Sequence, residues 1–60
     1  MTFQDAVDHL TRSGESLLEA LHIVQSELDT AAEEGDEPRL SQKDILAYRM
    51  VLREMQKAFA

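Results

Sequence analysis

Sixty residues with twelve acidic and six basic side chains carry a formal net charge of −6 and no Cys. The charge opposes attraction to phosphate and so argues against nucleic acid as a partner. The lack of Cys excludes disulfides, and two His alone make a poor structural zinc site. A chain this short buries only about 60% of the surface its unfolded form exposes, which points to association as a supplement to the core.

No apolar run approaches the roughly 18 residues of a membrane span, and Met1 to Asp5 lacks the basic start of a signal peptide. A soluble, cytoplasmic protein is expected, with export by a route needing no cleavable signal left open.

Thr2 followed three residues later by Asp5 forms a capping pair, which predicts a helix from about Phe3. From there Phe3, Val7, Leu10, Gly14, Leu17, Leu21, Val24, Leu28 and Ala31 are spaced alternately four and three apart. That is a heptad seam, and it predicts one long helix over about 3–34. Gly14 interrupts the apolar positions, and Ser13 could cap a new helix there, so a kink or a true break at 13–14 is the competing reading. Gly35 suits the left-handed end of the helix, and Pro38 stops its continuation, giving a turn over 35–40.

The second helix is announced by Ser41 as N-cap, Asp44 at the third helical position and Leu40 placed to staple onto Ile45. It should run over about 42–58. Ile45, Tyr48, Leu52, Met55 and Phe59 make its seam, while Leu46, Ala47, Met50, Val51 and Ala58 lie on other faces. A helix apolar over so much of its circumference is buried on more than one side.

Residues 1–34 hold eight acids and one base, whereas residues 41–60 hold four bases and two acids. Opposite charge and a short turn favour an antiparallel pair, so the expected fold is all-α: a single-domain antiparallel helical hairpin over 1–60. Leu17, Leu21, Val24 and Leu28 would meet Ile45, Tyr48, Leu52 and Met55 in its core. At about 1.5 Å per residue the first helix is roughly 45 Å long and the second roughly 27 Å. Phe3, Val7 and Leu10, with Leu46 and Met50, are then left for another chain, either a second copy or a helical partner. A break at Gly14 would instead let residues 3–12 fold back as a third helix and weaken the case for a partner.

The residues carry no recognisable catalytic, metal or cofactor chemistry. His9 and His22 are thirteen apart, outside any His-Glu-x-x-His pattern, and read as solvated or rim side chains. Glu33 to Glu37 lacks the alternation of a calcium loop. Ser13-Gly14-Glu15-Ser16 lacks the flanking glycines of a nucleophile elbow.

A long helix, a tight Gly35-Asp36-Glu37-Pro38 turn and a shorter amphipathic helix, with Pro38, Leu40 and Tyr48, resemble the small helical-hairpin proteins of bacterial type III secretion systems. Those are the co-chaperones that help hold the needle subunit unpolymerised in the cytoplasm, and the needle subunits themselves. The resemblance implies a non-enzymatic protein that binds other helices, or a subunit of a polymer. A plasmid-type RNA-binding hairpin shares the size and topology, but its function conflicts with an acidic long helix.

Overall fold

The computed structural model describes residues 1–59, which form three helices and no strand: α1 over Phe3–Leu10, α2 over Leu17–Glu34 and α3 over Gln42–Phe59. The start of α1 follows from its first four residues. Thr2 Oγ1 accepts the Asp5 N–H at 3.1 Å, and the Asp5 carboxylate reaches back to the Thr2 N–H. This capping box satisfies two backbone donors that a helix start otherwise leaves free.

The continuous helix over 3–34 is not formed. After Leu10 the chain leaves the helix: Thr11 Oγ1 donates to the Val7 carbonyl at 2.8 Å, and the Gly14 N–H donates to the Thr11 carbonyl at 3.0 Å. Gly14 sits at φ 92°, a left-handed value that suits glycine and is foreign to an α-helix. The new helix is capped by Ser16, whose Oγ accepts the Glu19 N–H at 3.2 Å, rather than by Ser13. The heptad spacing persists across this break because Leu10 and Leu17 enter the same core from two different helices. Spacing alone cannot register the six residues between them that are not helical.

α2 ends where the sequence places its end. Gly35 adopts φ 71°, and the N–H groups of Gly35 and Asp36 both donate to the Ala31 carbonyl. The turn is tied back by the Arg39 N–H, which donates to Glu27 Oε1 at 2.9 Å. α3 opens with the predicted Ser41–Asp44 capping box, with both hydrogen bonds at 3.1 Å.

One core joins all three helices: Ala6 and Leu10 from α1, Ala20, Leu21 and Val24 from α2, and Ala47, Tyr48 and Val51 from α3. α1 packs chiefly on α3 and more sparingly on α2. Ala6 and Ala47 are wholly buried, and side chains that small let two helix backbones approach closely. The first segment therefore has a partner within its own chain, which removes the geometric surplus that a single 45 Å helix would have left.

The phase of α3 also differs from its predicted seam. Its buried face is Asp44, Ala47, Tyr48 and Val51, and Val51 is completely covered. Leu52 and Met55 pack at the edge of the core, Ile45 is half-buried, and Phe59 is 84% exposed. The buried stripe is turned toward positions 44, 47 and 51 because α1 covers that side. On α2 the expected Leu21 and Val24 are buried, and Leu17 and Leu28 pack against the core from its margin. Leu18, next to Leu17 in the chain but off the seam, points outward with 74% of its surface exposed.

Candidate interaction surface

The end of α1 meets the start of α3 through a polar cluster that no local pattern announces. Asp44 is 8% exposed, and its carboxylate is the hub. Oδ1 lies 2.5 Å from His9 Nε2 and 3.1 Å from an Arg12 guanidinium nitrogen, and Oδ2 accepts the Ser41 N–H. The same Arg12 nitrogen donates to the His9 carbonyl at 2.7 Å, covering a free acceptor at the end of α1.

Burial pushes the Asp44 carboxyl upward. The Ser41 backbone N–H, His9, the Ser41 hydroxyl and the Arg12 charge together outweigh it and hold the group below its ordinary 3.8. An ionised carboxylate only accepts hydrogen bonds, so His9 Nε2 carries the proton between them. Both helix dipoles fit this arrangement. The positive end of α3 holds the acid, and the negative end of α1 lies beside the Arg12 guanidinium.

Both carboxylate oxygens of Asp44 are engaged within the cluster. Among the described residues no buried side-chain N or O lacks a partner, and no group of three His, Cys, Asp or Glu is placed to hold a metal ion. The cluster works as a clasp between α1 and α3. Tyr48 makes a second cross-link, donating its hydroxyl proton to Gln25 Oε1 on α2. Burial, followed by the charge of Asp29, raises the Tyr48 pKa above 10.0, which keeps the phenol a donor.

The residues expected to face a partner divide into two sets. Leu10 is 5% exposed and belongs to the chain's own core, and Val7 packs against that core. Phe3 remains 42% exposed and Leu46 51%, while Met50 touches the core and reaches the surface beside Leu46. Leu46 and Met50 share a shallow depression of about 260 Å³ with Arg49 and Arg53. Neither arginine forms an ion pair among the described residues.

The sequence reading missed a second exposed apolar pair on α2. Leu18 is 74% exposed and Ile23 51%, with exposed Glu19 and His22 between them. Helical spacing makes the four contiguous, since 18 with 22 and 19 with 23 are one turn apart. The signal available in the sequence was weak: Ile23 falls off the heptad seam, but Leu18 adjoins Leu17 and reads as core. A cleft of about 160 Å³ at the junction of the helices is lined by Leu10, Ala20, Ile23, Val24 and Leu40, with Arg12 and Asp44 among its polar residues. No helix among the described residues is long and apolar enough to cross a membrane. No protein-family model, curated protein or solved structure matches the chain.

Proposed function

We propose that the chain is a non-enzymatic helical interaction module of the adaptor or co-chaperone type, acting in the cytoplasm by dimerising or by binding a helical partner through apolar helix faces. In this reading α2 and α3 form the antiparallel hairpin and α1 closes it from one side. The observation that carries the proposal is the exposure of Leu18, Ile23, Leu46 and Phe3 outside a core that is already closed by all three helices. Fully burying an aliphatic or aromatic side chain contributes about 1.5–3 kcal/mol, so four together favour association after its entropic cost. The resemblance to type III secretion co-chaperones or needle subunits rested on a long first helix, which is broken between Leu10 and Leu17, and only its turn and amphipathic second helix remain to support the role.

A second reading, a structural subunit that polymerises head to tail, is favoured by the opposite charge of α2 and α3. α2 carries five acids and no Lys or Arg, whereas α3 carries four bases and two acids.

Sedimentation equilibrium of the purified chain, from micromolar to submillimolar, tests the self-association that both readings allow. The apparent mass is expected to rise above 6.8 kDa. A mass constant at that value, together with no gain in size on mixing with amphipathic helical peptides, would refute the module.

A further inference from the structure

The two exposed apolar patches differ in charge, and that difference decides what each can meet. On α3, Leu46 and Met50 form one helical row and Arg49 and Arg53 the row beside it, with the guanidinium groups unpaired among the described residues. A two-fold dimer through this patch would set four arginines against one another, since such an interface brings the same surface of both copies together. Like charges placed opposite each other in this way oppose the contact.

On α2, the exposed pair Leu18 and Ile23 flanks Glu19, on a helix with five acids and no Lys or Arg. A two-fold contact there repels for the opposite reason. The α3 patch against the α2 patch brings apolar to apolar and Arg to Glu. The acidic helix that fits is present in the chain itself.

Resting on the reading that the chain is an interaction module, we infer that the Leu46–Met50–Arg49–Arg53 patch of α3 docks on the Leu18–Glu19–Ile23 patch of α2 in a second copy, head to tail. Each patch lies outside the residues that its helix buries in the shared core, and on α2 Ile23 also borders the cleft beside Val24 and Asp44. Every copy added leaves one patch of each kind free, and the assembly grows past two copies with concentration until the rotation between copies closes a ring, or without limit where it does not.

Complementary disabled variants test this directly. Arg49→Glu/Arg53→Glu removes the basic patch and keeps the α2 patch, whereas Leu18→Ser/Ile23→Ser does the reverse without adding a charge that the first variant could pair with. All four positions are exposed, so both variants are expected to keep the wild-type circular dichroism spectrum. Sedimentation velocity with a dye on one variant then reads the outcome. Each variant alone is expected to lose association and run at 6.8 kDa, and their mixture to form a species of two chains, one of each, and no larger. A mixture that stays monomeric while the wild type associates would overturn the head-to-tail contact and leave the module reading standing. Wild-type mass that levels off at two copies would also overturn it, in favour of a closed dimer. A wild type monomeric throughout would overturn it as well, leaving only the hetero-partner form of the module, which the peptide titration tests separately.

Discussion

Asp44 serves two structures at once, which makes it the side chain whose loss should cost the most for its size. It closes the capping box of α3 and holds His9 and Arg12 from α1. Losing a helix cap costs about 1 kcal/mol and a hydrogen bond to a charged group about 1.5–3, so Asp44→Ala should lose about 2–4 kcal/mol in urea unfolding. Glu34→Gln, on a solvated surface, should change stability by less than about 0.5 kcal/mol.

The same residue sets a pH dependence. The folded-state pKa of Asp44 lies below 3.8, so the stability it contributes is complete above that value and is lost as pH falls through the folded pKa. Wild type should therefore lose stability more steeply below pH 3.8 than Asp44→Ala does. Parallel acid profiles for the two would mean that the clasp contributes nothing to folding.

Both glycines interrupt or end helices, but only Gly35 was legible as doing so. Local chemistry that lies within four residues could be read directly: the capping boxes at Thr2 and Ser41 and the left-handed Gly35 are all formed. Gly14 could not be assigned in this way, because Leu10 and Leu17 keep the heptad step across it. A substitution separates the two geometries by sign. In a continuous helix Gly14→Ala would stabilise by about 1 kcal/mol. At φ 92° with a left-handed backbone it should destabilise by about 1–2 kcal/mol. No atom lies within 4 Å of the added Cβ, so the cost is conformational alone. Thermal unfolding of the variant reads the sign.

The phase of α3 was hidden for a different reason. Its core side includes a carboxylate, Asp44, and a small Ala47, and a pattern built from large apolar residues passes over both in favour of Ile45 and Leu52. What buries them is α1, and a contact between His9 and a residue 35 positions away leaves no periodic trace. Val51→Ala removes two methyl groups from a wholly covered site and should cost about 2 kcal/mol. Ile45→Ala should cost less, since Ile45 is only half-buried. Equal losses in chemical denaturation would restore the predicted seam.

At the scale of the whole molecule, the sequence revealed the all-α class and the imbalance of charge between its halves, and of its two readings of the N-terminal segment the structure takes the break at Gly14 that makes residues 3–10 a third helix. The N-terminal segment completes the core, and the large apolar side chains that stay exposed include Leu18 and Ile23 on α2, Leu46 on α3 and Phe3 on α1. Leu10→Ser should accordingly cost about 3–5 kcal/mol and leave the chain largely unfolded, because Leu10 is 5% exposed.

The central claim is that folding and association use different surfaces. Sedimentation equilibrium of Leu46→Asp, on protein whose thermal melt is followed by circular dichroism in the same buffer, tests it most directly. The account predicts a wild-type melting temperature with the rise of mass with concentration abolished, since Leu46 is 51% exposed and lies in the α3 patch. A mass curve superimposable on the wild type's, with the fold intact, would contradict it.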